Sequence, residues 1–445
     1  MTEALLANNE VQTPITTPGS EVSAYKIDDV STSLTSSASS EQQSYFITYG
    51  TGWKANGTNF DLTGAKVTSS TYANSYSSLV GKYLPYPYIS SSSSGGSGSS
   101  TAGTMVTTTD LTNVYYVISA TSSTFTYKTL GSNKNTTEAL LASTPDDYGT
   151  SYYFRGTVKN NYVDFANKCW RIVRVGGDGS VKLILHNDNI TGVANPCDSA
   201  NNSTSAAFAH YNGSTYKSVF NLRGSDNAYV GFKYGTLGSR TYSATHANTH
   251  KSTILTNLET WYNNNLTAYE SVIDDTVWCN DKTNVTDTTY NPMNYKNVNG
   301  LGFGTNETYY GATQRLVSAS KSAGGTGPSL KCNGELSKIT SEVGLITADE
   351  LAFAGYAYGK NNTTTYLQEN ATATYNTWWW SLSPYTFNSY NAYVWSVGGS
   401  AGSFDGNFDG SSGNSSSAVR PSISLISTTY VTGNGSSEHP YTISM

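Results

Sequence analysis

Charge is what this chain lacks most. Only 13% of its 445 residues are Asp, Glu, Lys or Arg, about half the usual share, and the net charge is −6. No run of Lys or Arg exceeds two residues. Phosphate backbones and anionic lipid are gripped through clustered cations, so nucleic acid is not an expected partner. Long apolar runs are missing as well, and nothing approaches the roughly 20 residues of a membrane span, so membrane insertion is not expected. The opening MTEALLANNEVQTP has too short an apolar core, and no basic flank, for a signal peptide. A leader removed before Met1 and release by another route, for example on a phage particle, both fit.

Cysteine is scarce: Cys169, Cys197, Cys279 and Cys332, with no CxxC pair. A zinc knuckle is therefore not expected. An even count in a Tyr- and Asn-rich chain fits two disulfides, most simply 169–197 and 279–332, and an extracellular or cell-surface location. Four buried thiols in a cytosolic protein are the alternative. HExxH and glycine-rich phosphate loops are also absent, so no catalytic residues are nominated and an enzyme is not expected.

What the chain does have is tyrosine, 35 copies, with heavy use of Ser, Thr, Asn and Gly. Tyr and Thr favour strands, and this wealth of aromatics argues against wholesale disorder. The length exceeds what one core usually takes, so two domains are expected.

Residues 1–40 show little periodicity and read as an arm or linker. Residues 41–136 read as a small β-rich module. In it, 44–60 forms a hairpin around Gly-Thr-Gly, 114–119 pairs with 124–130, and the Ser/Gly loop 89–103 is a disordered excursion. TEALLA occurs at 2–7 and again at 137–142, suggesting equivalent helical lead-ins. Further on, strands are expected at 162–165, 169–175 and 180–186, the last two joined by a GGDGS turn. Ile254, Leu255, Leu258, Trp261 and Tyr262 share one face of a helix. Thr347 and Glu350 make a capping box for a second helix that ends at Gly355. Asp349 and Glu350 could suggest an acid/base pair, but capping accounts for them better. The long polar segments 187–250 and 280–340 read as loops pinned by the disulfides.

Five blocks occur in order: NNYVDFANKCWRIVRVGGDGSVKLILHN, STILTNLETWY, DTVWCND, GLITADELAFAG and WWWSLSP…VRPSISL. Over roughly 150–428 they resemble uncharacterised Gram-positive surface proteins. The tail GNGSSEHPYTI is similar to an ending common among them. The resemblance implies a C-type-lectin-like domain over 137–430, in the variant shared with formylglycine-generating enzymes, and a C-terminal tail at 431–445. Its last segment is similar to the variable region of retroelement-diversified ligand-binding proteins. Leu382 stands where the group often has arginine. The oxidase relatives use a C-terminal cysteine pair, and no cysteine follows Cys332. The expected fold class is thus α+β and strand-rich, a lectin-like domain preceded by the β-rich module.

Two motifs invite a metal. His246 and His250 have ligand-like spacing but need a helix to share a face, and solvated loop histidines are the plainer reading. Asp405, Asn407 and Asp409 open a D-x-[DN]-x-[DN]-G calcium pattern, yet Ser416 stands where the bidentate Glu belongs, so an Asp/Asn-rich turn competes with calcium. No other cofactor is called for.

The last third supplies the functional reading. Trp378, Trp380, Tyr385, Phe387, Asn388, Tyr390, Asn391, Tyr393, Trp395, Phe404, Asn407 and Phe408 combine rings and amides as antibody paratopes do. Trp379, Val394, Val397, Val419, Ile423 and Leu425 are expected in the core. Strand neighbours face opposite sides, so at least one of Trp378 and Trp380 should reach a surface. The expectation is a non-catalytic ligand-binding surface protein, an adhesin or receptor-binding protein, presenting 378–416 to a protein or glycan. The alternative is a subunit of an extracellular filament or phage appendage that self-assembles through the N-terminal arm.

Overall fold

The computed structural model describes residues 1–14, 17–20, 24–35, 54–56, 59–61, 83–85, 114–120, 124–133, 139–295, 300–332, 334–363, 365–372, 377–399, 401–408 and 416–443. The fold is mixed α+β and strand-rich, in two compact units. One joins Met1–Glu21 to Glu138–Met445, and the other is Val22–Thr137.

In the smaller unit, a four-stranded sheet runs in the order Ala24–Thr35, Thr124–Asn133, Val114–Ala120, Tyr83–Pro85. Lys54–Asn56 and Asn59–Asp61 form a short antiparallel pair. The expected pairing of 114–119 with 124–130 forms. The Gly-Thr-Gly turn and the loop 89–103 lie outside the described residues.

The larger unit is built on two sheets. The first runs Ser422–Leu425, Val181–Asn187, Lys168–Val175, Tyr162–Phe165, Tyr441–Ile443, Val431–Thr432, with Leu140–Pro145 and Thr150–Arg155 attached through Lys168–Val175. The second runs Lys217–Ser218, Ser417–Ala418, Trp378–Phe387, Ala392–Gly398, Ser403–Phe408, with Thr308–Tyr309 paired onto Trp378–Phe387. Tyr441–Ile443 joins Tyr162–Phe165 in parallel. Residues 431–443 are therefore part of the first sheet and not an appended tail.

The helix Thr253–Asn265 forms as its periodicity predicts. Ser252 caps it by accepting from the Leu255 N–H at 3.2 Å, and all five residues of its apolar face are buried. The capping box of Ala348–Ala354 is present, and Gly355 ends that helix at φ 116°, a left-handed conformation that favours glycine. Trp379, Val394, Val397, Val419, Ile423 and Leu425 are all fully buried.

Both expected disulfides are made, Cys169–Cys197 and Cys279–Cys332. They close loops of 28 and 53 residues, which restricts the unfolded chain. Replacing either pair with alanine should cost about 2–4 kcal/mol, read as a lower denaturation midpoint. An unchanged midpoint with and without reductant would contradict this.

Of the arm expected over residues 1–40, the described parts 1–14, 17–20 and 24–35 include folded elements. Thr2–Asn8 is a helix with Leu5 fully buried. The Met1 amino group donates to the Thr429 carbonyl at 2.7 Å. Val11 bridges Leu141 in parallel, and the Gln12 N–H donates to the Leu141 carbonyl at 2.8 Å. Ala24–Thr35 is spent on pairing with Thr124–Asn133. The segment that a donor strand would need free is used within its own chain. The second TEALLA is not a helical lead-in either, since Leu140–Pro145 is a strand paired with Thr150–Arg155.

Candidate functional site

Trp378–Phe387 and Ala392–Gly398 form an antiparallel hairpin, and Ser403–Phe408 pairs with its second strand. Most of the rings proposed for a recognition face are packed into this assembly. Trp380, Phe387, Trp395 and Phe404 are fully buried, and Tyr385 is 4% exposed. Trp395 meets Phe404 at 4.5 Å, Tyr385 at 4.8 Å and Tyr358 at 5.9 Å between ring centroids, and Tyr356 closes on Phe404 at 5.8 Å. Gly406 leaves room for this box, because a Cβ there would stand 2.0 Å from the Tyr385 ring. Trp380 donates from Nε1 to the Ser218 carbonyl at 2.8 Å and packs edge-on against Phe220. Phe387 is buried with Tyr229, Val230, Tyr310 and Ala392. Trp380 and Phe387 are core because the 218–230 segment and Tyr310 cover them, and Tyr385, Trp395 and Phe404 are core because Tyr356 and Tyr358 close on them.

The described part of the calcium pattern is not laid out as a cation loop. Asp405 and Asn407 lie in an extended strand, where such positions stand roughly 7 Å apart along the chain and do not wrap a cation. Asp405 Oδ1 accepts from the Gly406 N–H at 2.7 Å, and burial pushes its carboxyl above the usual range. Among the described residues no cluster of His, Cys, Asp or Glu could hold a metal. Asp409 lies outside the described residues, and for Asn407 and Phe408 only the backbone pairing is described. His246 and His250 do not share a helix face. His246 is buried with Nε2 at 2.8 Å from the Gly302 carbonyl, and His250 is exposed on a short strand. Burial, then the nearby Lys282 charge, lowers His246 to about 3 and keeps its ring neutral.

What remains at the surface is the hairpin tip. Tyr390 is 76% exposed, while Trp378, Asn388, Asn391 and Tyr393 are half-buried. The tip is fixed: Asn388 Oδ1 accepts from the N–H groups of Tyr390 at 3.1 Å and Asn391 at 2.8 Å, and Ser389 takes φ 72°. The Ala392 N–H donates to the Gly224 carbonyl at 2.6 Å, tying the tip to a segment that carries the exposed Leu222 and Arg223. Beside that segment runs an open groove of about 380 Å³, whose walls include Asn221, Tyr229, Tyr234, Thr253, Thr256 and Asn257. Tyr234 is half-buried and held by ring contacts to Tyr229 at 5.5 Å and His250 at 5.4 Å.

No family model, curated protein or solved structure matches the chain. The groove residues come from 221–257, a stretch read from sequence as loop and the start of a helix. Only Asn/Tyr/Thr content hinted at them, and that signal is spread over the whole chain.

A second cluster joins the two motif blocks that carry Arg174 and Glu350. Arg174 bridges Asp146 at 3.1 Å and Glu350 at 2.9 Å, Lys182 meets Glu350 at 2.8 Å, and Arg315 meets both Asp281 and Asp349 at 2.6 Å. Beside the Cys279–Cys332 bridge these groups line a cavity of about 40 Å³, which suits a water and not a substrate. The cluster acts as an internal brace. Glu350 is thus a capping residue that also carries ion pairs, whereas Asp349 does not cap the helix and holds Arg315 and the Ser329 N–H.

Proposed function

We propose that this chain is a non-catalytic ligand-binding protein of the cell exterior, its larger unit a C-type-lectin-like domain of the kind found in Gram-positive surface proteins. The observation that carries the reading is the groove walled by Tyr, Asn and Thr side chains and tied through Gly224 to the exposed Tyr390 tip. Rigid rings supply contact area at low entropic cost, and amides and hydroxyls supply adaptable hydrogen bonds. Two disulfides accord with an oxidising compartment. No helix among the described residues is long and apolar enough to cross a membrane. The recognition surface is therefore smaller than the whole 378–416 segment. It comprises the tip 388–391 and the groove, with the buried rings serving as scaffold.

Tyr390→Ala combined with Leu222→Ala should reduce binding to an immobilised panel of glycans and extracellular proteins at least tenfold. Folding should be preserved, because both side chains are mostly exposed and such changes cost about 0.5 kcal/mol or less. Equal binding by the variant, or no binding by the unaltered chain, would refute the reading.

A further inference from the structure

The groove differs from the rest of the molecule in charge. The chain carries −6 overall, yet two cations, Arg223 and Lys251, line the groove and no carboxylate does. Arg223 is exposed and makes no ion pair among the described residues. Lys251 is paired with Glu259 at 2.6 Å, but both side chains are substantially exposed. Water and salt screen such a contact, so a ligand anion can replace it. The remaining walls are not those of a simple anion site. Tyr234 is braced by two rings and Leu222 is 71% exposed; Thr253 brings a hydroxyl, and Thr256 and Asn257, which donate to the Ser252 carbonyl and Ser218 Oγ, bring acceptor oxygens.

We infer that the groove binds a glycan through a carboxylated sugar, with Arg223 facing the carboxylate and Tyr234 and Leu222 facing the sugar ring. A guanidinium matches a carboxylate in planar, two-pronged fashion. The apolar C–H face of a sugar lies against an aromatic or aliphatic wall while its hydroxyls reach amide and hydroxyl partners. The charge of Arg223, which no ion pair among the described residues offsets, attracts the anion to an otherwise acidic protein. An acidic peptide could also bond that wall through its backbone, and the test below includes it as an outcome. This assignment rests on the binding reading above and adds the ligand class and the residue that selects it.

The test uses the full chain on immobilised oligosaccharides that end in a uronic or nonulosonic acid, each beside its methyl ester. The acid should be retained at least tenfold more strongly than the ester at low salt, and the advantage should shrink as salt rises. Arg223→Gln should remove the preference for the acid, whereas Tyr390→Ala should weaken acid and ester alike. Equal retention of acid and ester, or an unchanged preference in Arg223→Gln, would overturn the acidic-sugar assignment while leaving glycan binding in place. An acidic peptide that displaces the sugar and binds more tightly would overturn it in favour of a protein ligand. Failure to retain any of these sugars would also overturn it, and the wider panel then decides separately whether the chain binds ligands at all.

Discussion

Glu350→Ala should destabilise the larger unit by about 3–5 kcal/mol, the usual cost of stripping one partner from a buried ion pair. Glu350 is 3% exposed. Oε1 meets both Lys182 and Arg174, and Oε2 accepts from the Thr347 N–H at 2.9 Å. Removing the carboxylate leaves Lys182 buried without it and opens the capping box at once. The same group predicts a pH dependence. Burial alone would raise its pKa, but Lys182, then Arg174, then the hydrogen bonds from Lys182 and Thr347 outweigh that and hold it at about 2. A depressed folded-state value means that the stabilisation is present above the unfolded carboxylate value, about 4.5, and is lost as pH falls towards 2. The shift corresponds to about 3 kcal/mol. Burial, and to a lesser degree the Arg174 charge, lower the pKa of Lys182 while Glu350 opposes them, and the 2.8 Å contact with the carboxylate favours the ionised pair. Urea midpoints at pH 7 and near pH 3 provide the check. The unaltered protein should lose stability on acidification and Glu350→Ala should lose much less; parallel losses in both would count against the brace.

Trp395→Ala should cost about 3–5 kcal/mol, the range for emptying a large aromatic site in a packed core. Trp395 is fully buried and touches Phe404, Tyr385 and Tyr358. Tyr390→Ala, five residues earlier on the exposed tip, should stay within about 0.5 kcal/mol. The contrast separates scaffold from surface inside one hairpin. If both variants unfolded at the midpoint of the unaltered chain, the ring box would not be the core that the geometry describes. Substituting Tyr390, Tyr393 and Trp395 together would confound the two roles, because loss of binding would then follow from loss of the fold.

Local rules read several parts of this molecule from the sequence alone. Helical periodicity marked Thr253–Asn265, and Thr347 with Glu350 marked the start of the next helix, because caps and amphipathic stripes depend on neighbours a few residues away. The strands at 162–187 and the core set Trp379, Val394, Val397, Val419, Ile423 and Leu425 were legible for the same reason. So were the two disulfides, given four cysteines and few pairings.

Whether a strand's second face meets water or protein depends on segments distant in sequence, and alternation is silent about it. Trp380, Tyr385, Phe387, Trp395 and Phe404 looked like a paratope because nothing adjacent to them in the chain could cover them; the 218–230 segment and Tyr310 cover Trp380 and Phe387, and Tyr356 and Tyr358 cover the other three. TEALLA carries the same lesson, being helix at Thr2–Asn8 and running into strand at Leu140–Pro145. Six residues hold too little intrinsic preference to resist the partners that each copy meets. The sequence by itself determined the strand-rich class, the caps and the amphipathic helix, and favoured the disulfide pairing that the structure makes. Only the tertiary structure decided which aromatics are scaffold, that Met1–Glu21 belongs to the larger unit, and that the hairpin strand next to Tyr390 is bonded to the segment carrying Arg223, because each depends on contacts between segments far apart in the chain.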